Sequence, residues 1–483
     1  MRQIDYLIVG GGITGIGGAY RLKKMGVSSF VVLESTDRIG GLAASFKDDA
    51  GFTWDLGGHV LFSKDQRFIQ HIDDAMGDDL LAYCRRARVH VKGQWTGYPF
   101  QNHVHELSPD LAKLCQDGLA NAPGLDEGTR SFKDWMVRSF GDGICRLFME
   151  PYNRKVWVFP LRKMGFQWIG DRVSVVQNNP NESIEENAGQ KQWGPNSEFL
   201  YPRNDGIGAI ASRIGNEFCD HIRFHHEVIK IDPIAKVAVV KGGISYKYKA
   251  VLSTVPLDRL IKKMIRPQRQ TLFAAANRLE YNHVAVVGIG LDMEGDRQTS
   301  WMYFPGSECP FYRLTNLHNY SPSITPKGKN QAALMTEVAF SPGQSENESV
   351  LVSKVIDGLF TTGIINRSDE KKIISTWSKQ IPYAYPIPTL DRDQALAVIH
   401  AYLESHNIFS RGRFGGWKYE VGNMDHSFMQ GIRVGRENDC WKSGKHFSIS
   451  VGRVEFYHLR PMTFKEFLDA VEKVGGKTLT VNQ

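Results

Sequence analysis

The chain has 483 residues, 42% hydrophobic and 23% charged, and its 59 lysines and arginines against 52 aspartates and glutamates leave a net charge of +7. This composition excludes disordered and fibrous classes and suits about three structural units with sizeable cores; no run reaches the ~18–20 apolar residues of a membrane span, the chain opens on a strand pattern and not on a secretory signal, and the basic excess has no Lys/Arg run behind it. The expectation is a cytoplasmic protein with no membrane or nucleic-acid partner, whose scattered arginines suit a small polyanion, and whose six cysteines (Cys84, Cys115, Cys145, Cys219, Cys309, Cys440) form neither a disulfide framework nor a zinc site.

Tyr6-Leu7-Ile8-Val9 reads as a short buried strand running into Gly10-Gly11-Gly12-Ile13-Thr14-Gly15, with a helical pattern after it (Ile16, Ala19, Tyr20, Leu22). A second strand, Phe30-Val31-Val32-Leu33, ends at Glu34, close to the ~20-residue spacing of a dinucleotide-binding βαβ unit. The glycines permit a tight turn and close approach to a pyrophosphate at the helix N-terminus, and Glu34 is placed to accept ribose hydroxyl hydrogen bonds. The continuation Glu34-Ser35-Thr36-Asp37-Arg38-Ile39-Gly40-Gly41-Leu42, with Ser45, resembles the ExxxRxGG segment of FAD-binding amine-oxidase-like proteins, which implies FAD as the cofactor, with Arg38, Gly41 and Leu42 along its diphosphate.

Asp55 to Phe62 is a glycine-hinged loop, and residues 105–200 read as helices, with Ser108-Pro109 as one helix start and Ser131-x-x-Asp134 as a capping-box start before another. Gly206 to Leu257 returns to α/β character, ending in the strand and turn Ala250–Pro256, and His283 to about Phe340 is strand-rich. The expected fold is α/β: an FAD-binding Rossmann-like domain of the amine-oxidase or mutase type, with a helical and an antiparallel-sheet insertion. Its expected parts are an FAD domain from 1–80, 205–260 and 395–435, a helical uridine-binding domain over 81–204 and an antiparallel-sheet substrate domain over 261–394. A tail over 436–483 carries an amphipathic helix (Phe464, Phe467, Leu468, Val471) started by Thr463-x-x-Glu466.

A sharper resemblance begins at Phe148-Met149-Glu150-Pro151-Tyr152-Asn153-Arg154-Lys155-Val156-Trp157. With Trp168–Val173, Trp193–Asn196, Gly58–Ser63, Gln94–Asn102, Trp301–Pro305, Cys309–Arg313, Asn319–Ser321, Tyr385–Leu390 and Gly412–Ser427, it is similar to the UDP-galactopyranose mutases of the eukaryotic type across nearly the whole chain. The resemblance implies that Arg172 and Arg313 clamp a diphosphate, as guanidinium forks do, with hydroxyl donors from Tyr385 and Tyr419. It gives Tyr98, Gln101, Phe148, Asn153 and Trp157 to a uridine pocket, and Asn196, Trp301, Tyr303 and Tyr320 to the sugar side. Toward the flavin it gives Gly10, Gly12, Ile13, Thr14, Gly15, Gly58, His59, Val60, Val228, Arg413, Gly422, Asn423, Met424 and Ser427. His59 either tunes the flavin's proton state or contributes its backbone alone.

The activity so implied is isomerisation of UDP-galactopyranose and UDP-galactofuranose through a covalent adduct at N5 of reduced flavin, with NAD(P)H as the reductant. No side-chain nucleophile, metal or Ser-His-Asp set is expected. The rival readings are an amine-oxidase-like oxidoreductase, a mutase for another nucleotide sugar, and a non-catalytic nucleotide-sugar binder. Two departures stand out: Lys64 replaces a second histidine after the His59 loop, and the resemblance fades after Gly431, which leaves homo-oligomerisation as a possibility only.

Overall fold

The computed structural model describes residues 1–170, Val173 and 197–436. Arg172, Asn196 and the tail with its expected helix lie outside the described residues.

The apolar runs Tyr6–Val9, Phe30–Leu33 and Ala250–Ser253 are buried almost throughout, as strands covered on both faces must be. They form the middle of a five-stranded parallel sheet in the order Ile222–Arg223, Phe30–Leu33, Tyr6–Val9, Ala250–Ser253, Ile408–Ser410. One face, carrying Leu7, Val9, Val31, Leu33 and Val251, shares a core with the sheet Arg2–Gln3, Ser245–Lys247, Val237–Val240, Val228–Asp232 and with helix Arg392–Ser405. Over Ile8 and Leu252 on the other face lies helix Ile13–Lys24, close enough that a Cβ at Gly18 would meet Leu252 Cδ2 at 2.5 Å. Helix Met424–Arg436 packs on that first helix backbone to backbone: a Cβ at Gly17 would meet Phe428 O at 2.3 Å, and one at Gly431 would meet Thr14 O at 2.1 Å.

A seven-stranded sheet follows the order Ile373–Pro386, Tyr281–Leu291, Ala332–Phe340, Arg313–Asn316, Trp301–Tyr303, Ala87–Val91, Gln94–Gly97, antiparallel except where Trp301–Tyr303 meets Ala87–Val91. Helix Glu348–Thr361 covers one face, with Leu351, Val355 and Leu359 buried in a core with Val287, Ile289 and Leu314. Phe52 and Trp54 lean on the backbone at Gly290 and Gly288, where a Cβ would come within 2.8 and 2.6 Å of their rings.

The fold class is the expected FAD-binding α/β type, but the segment over 81–204 differs from a helical reading at its start. Leu80–Cys84, Ala87–Val91 and Gln94–Gly97 are strands, and the last two join the large sheet. The hairpin between them turns on Lys92 (φ 50°) and Gly93 (φ 76°), the paired left-handed residues of a tight two-residue turn. Helices follow at Pro109–Ala120, Phe132–Ile144 and Glu150–Trp157, and the Ser131 box forms: Asp134 N–H donates to Ser131 Oγ at 3.2 Å, and Ser131 N–H to Asp134 Oδ2 at 3.1 Å. A π-helical stretch, Cys145–Met149, precedes the last of them and offsets Phe148 from the regular helical register.

Candidate active site

Two glycine turns meet at the end of the parallel sheet. Gly40 N–H donates to Gly11 O at 2.8 Å, Gly12 bridges Gly40, and a Cβ at Gly41 (φ 57°) would come within 3.1 Å of Gly12 Cα. Gly15 packs so tightly that a Cβ would lie 2.1 Å from Gly10 O, whereas one at Gly12 would meet only Gly41 Cα, at 4.0 Å. Helix Ile13–Lys24 starts there with no side-chain cap and no acidic residue in its first turn, so its free N–H groups and positive dipole end face an open cradle suited to phosphate.

Glu34 is buried; its Oε2 accepts from Gly11 N–H at 2.7 Å and its Oε1 from Thr36 N–H at 2.8 Å, which aims the carboxylate at the rim of the cradle. His226 N–H donates to Glu34 O at 2.8 Å, bringing buried Val228 to the same edge. Arg38 is steered by Asp37 and by Phe46, whose ring centroid is 4.3 Å from the guanidinium; Leu42 is half-buried against the sheet core. Gly412 (φ 89°) presses on Thr14, its Cβ position 2.4 Å from Thr14 Oγ1, so the C-terminal segment reaches the first turn as expected.

Behind the Gly57–Val60 loop stands a residue that the sequence did not single out. Glu337, 2% exposed, lies in strand Ala332–Phe340, and its Oε1 accepts from Arg313 Nε at 2.7 Å, from Arg313 Nη2 at 2.5 Å and from Gly58 N–H at 3.0 Å. Its Oε2 accepts from Tyr312 OH at 2.5 Å, and that hydroxyl lies 3.2 Å from Tyr385 OH. One carboxylate therefore ties Arg313, the His59 loop and Tyr385 together. Arg313, which the resemblance makes a diphosphate clamp, is ion-paired with buried Glu337, yet its Nη1 makes no hydrogen bond among the described residues. Burial pushes the Glu337 carboxyl up, but the Arg313 charge and the bonds from Tyr312 and Gly58 outweigh this and hold it below the ordinary carboxylate range.

His59 has a buried Nδ1 with no hydrogen-bond partner among the described residues. Burial pushes its imidazole down to about 4, Glu337 opposing and Arg413 and Arg313 reinforcing, so it is neutral at neutral pH. Arg413 donates through Nε to Ala384 O at 3.1 Å and through Nη1 to Gly422 O at 3.3 Å, and its guanidinium lies 5.0 Å from the Tyr385 ring centroid and 5.3 Å from that of Tyr419. Asn423 ends that turn; Met424 begins the helix that carries buried Ser427, and Asp425 accepts from Ser63 Oγ at 2.9 Å, fastening the helix to the loop that holds His59.

The aromatic residues form continuous walls. Tyr303 stands between Tyr98 (ring centroids 4.8 Å apart) and Tyr152 (5.4 Å). Phe148 lies between Phe100 (4.9 Å) and Tyr152 (5.2 Å), and Trp157 packs on Tyr419 (5.0 Å) and Tyr385 (5.9 Å). Trp301 donates through Nε1 to Tyr303 OH at 2.8 Å; Tyr320 is buried, its hydroxyl without a hydrogen-bond partner among the described residues, and Gln101 is buried beside Phe100. Asn153 sits among these walls, but its amide is partly occupied: Nδ2 donates to Met149 O at 2.8 Å, and Oδ1 accepts from Trp157 Nε1 at 3.1 Å.

The structure thus brings together most of the sequence-predicted residues, leaves Arg172 and Asn196 outside the described residues, and adds Glu337, Tyr152 and Tyr312. Glu337 left one trace in the sequence: a carboxylate within the largely apolar strand Ala332–Phe340, where burial demands a cation or donors.

A family model described as flavin containing amine oxidoreductase matches residues 13–436. Among curated proteins, an "Amine oxidase [flavin-containing]" of Oncorhynchus mykiss is 33% identical over 287 residues, 55% of this chain and 53% of that protein. "Amine oxidase [flavin-containing] B" of Homo sapiens is 22% identical over 270 residues, covering 53% of this chain and 51% of that protein. The chain spans about half the length of these curated relatives. Among solved structures, a reduced UDP-galactopyranose mutase superposes with a TM-score of 0.85 at 35% identity, covering 92% of this chain and 97% of the other. A putative protoporphyrinogen oxidase from Exiguobacterium, at 16% identity and a TM-score of 0.69 over 91% of this chain and 98% of the other, shares the fold.

Proposed function

The chain belongs to the flavin containing amine oxidoreductase family, and from that premise we propose that it is a flavin-dependent isomerase of the UDP-galactopyranose mutase kind, of the eukaryotic type, using FAD. The observation that carries this reading is Arg313: a guanidinium fixed by Glu337, with Nη1 unspent, among tyrosine hydroxyls and beside the His59 loop. That arrangement attracts a diphosphate and disfavours a protonated amine, while the names of the curated relatives favour the oxidase reading. The solved mutase, matched over nearly its whole length, supports the first.

The residues fit the cofactor: the cradle at Gly12 is open, the helix terminus above it is uncapped, and the buried His59 Nδ1 lacks a hydrogen-bond partner among the described residues. Reduced FAD supplies a nucleophilic nitrogen for the anomeric carbon. Gly10 to Gly15 would hold its pyrophosphate, Glu34 its ribose, and the Gly58–Val60 and Arg413–Ser427 segments its reactive ring. As the C1–O bond breaks, charge accumulates on the substrate's terminal phosphate; Arg313 Nη1 and the hydroxyls of Tyr385 and Tyr419 would donate to it, and Arg172 would join them. The uracil would lie against Tyr98, Phe148 and Trp157, and the sugar against Trp301, Tyr303 and Tyr320, where the packed rings would exclude water. Neutral His59 can donate or accept a hydrogen bond at Nδ1, according to its tautomer, without placing a positive charge beside Arg313. NAD(P)H is the proposed reductant.

The test is turnover. Dithionite-reduced holoprotein incubated with UDP-galactofuranose should give UDP-galactopyranose on chromatography, and the oxidised holoprotein none. Equal conversion by both forms, or peroxide produced from primary amines without isomerisation, would overturn the proposal; exchange of another nucleotide sugar alone would redirect it.

A further inference from the structure

Strand Gln94–Gly97 leaves the large sheet through the turn Phe100–Asn102, and a second turn, Val104–Glu106, folds back on it. Two bonds pin the fold-back: Thr96 Oγ1 donates to His103 O at 2.7 Å, and Gly97 N–H to Glu106 Oε2 at 2.7 Å. The His103 ring lies directly over Gly97, where a Cβ would be 2.6 Å from Nδ1, so glycine there is what admits the imidazole. His103 Nδ1 is 2.9 Å from Glu106 Oε1, and the rings of His103 and His105 are stacked 6.0 Å apart. One ligand atom from each of His103, His105 and Glu106 falls within 4.8 Å of the others. Among the described residues no lysine or arginine pairs with Glu106, and the exposed His105 imidazole makes no hydrogen bond.

We propose that His103, His105 and Glu106 form a site for a divalent transition-metal ion of the zinc class, its coordination completed by water. Two imidazoles and one carboxylate are the donor set of three-ligand zinc centres, and imidazole selects against magnesium and calcium. The parts are pre-arranged: the Gly97 N–H holds the far oxygen of Glu106 as an outer-sphere partner, and the ion takes the place of the proton between Nδ1 and Oε1. His105, exposed and unbonded, is free to swing onto it. The ion would lock the turn that carries Tyr98 and Gln101, and its binding does not rest on the reaction proposed above.

The test uses the full-length holoprotein, stripped of metal by a chelator, with surface thiols blocked because Cys84 and Cys219 are exposed. Equilibrium dialysis against Zn²⁺ at neutral pH, read by elemental analysis, should show one saturable ion per chain that excess Mg²⁺ does not displace. His105→Ala and Glu106→Gln should each weaken uptake about 10–100-fold with circular dichroism and flavin absorbance unchanged. No saturable uptake, displacement by Mg²⁺, or uptake undiminished in His105→Ala overturns the proposal. Should Glu106→Gln disturb the fold, His105→Ala decides alone, since that exposed imidazole makes no hydrogen bond among the described residues.

Discussion

Replacing Glu337 by Gln keeps the side chain's shape, removes its charge and turns one acceptor oxygen into a donor, in a place where the carboxylate is the centre of four contacts. Arg313 would then sit largely buried beside a neutral amide. Removing one partner of a buried ion pair costs about 3–5 kcal/mol; the amide oxygen can still accept from Arg313 Nε, which returns about 1 kcal/mol, leaving a loss of about 2–4 kcal/mol. Because the folded carboxyl titrates below its ordinary range, the wild-type advantage is fully present above an unfolded pKa of about 4.3 and is lost as pH falls through the lower folded value. Urea unfolding of the two holoproteins, followed by far-ultraviolet circular dichroism, should therefore show a gap at pH 7 that narrows as the pH is lowered below about 4. Equal stability at pH 7, or a gap that does not change with pH, would refute the role given to this ion pair.

Gly12→Ala should fold normally, since the new methyl meets only Gly41 Cα at 4.0 Å, but its methyl enters the cradle, so the flavin-to-protein absorbance ratio after gel filtration should fall at least several-fold; full flavin content would contradict the cradle assignment. Asp55 accepts from Ser45 Oγ, Tyr201 OH and Ile207 N–H, yet burial pushes its carboxyl up to about 6. Its charged form thus burdens the fold as pH rises from the ordinary carboxylate value through about 6. Asp55→Asn should compare better with the wild type at pH 7 than at pH 4 in the same urea assay; a difference that does not change between the two would show that burial does not govern this carboxyl.

What was legible in the sequence was what is local in it. Gly10 to Gly15, Glu34 and the Gly40–Gly41 turn lie within one βαβ unit, and backbone geometry alone dictates their spacing. The aromatic blocks around Phe148, Trp301 and Tyr385 were legible through resemblance, and the structure gathers them into walls. Glu337 was not legible, because its partners lie 24 residues away at Arg313 and 279 away at Gly58; only sheet register brings them together. The strand Ala87–Val91 does carry its signal in the sequence, since Ala87-Arg88-Val89-His90-Val91 alternates apolar and polar residues; what the sequence does not show is that His90 packs inward against Trp95 and Phe304. The contacts of Asn153 were not legible either: one amide N–H goes to Met149 O and its oxygen accepts from Trp157 Nε1, which leaves the amide only partly occupied.

The glycine contacts between the helices Ile13–Lys24 and Met424–Arg436 bear on the order in which the protein is made. Gly412 closes on Thr14, Gly431 on the backbone of the first helix, and strand Ile408–Ser410 completes the parallel sheet. The wall of the phosphate cradle is therefore supplied by the first forty residues of the chain and its lid by residues more than 350 positions later. The closing contacts thus become available only once that late segment has been made, and any truncation before Gly412 should yield a colourless protein.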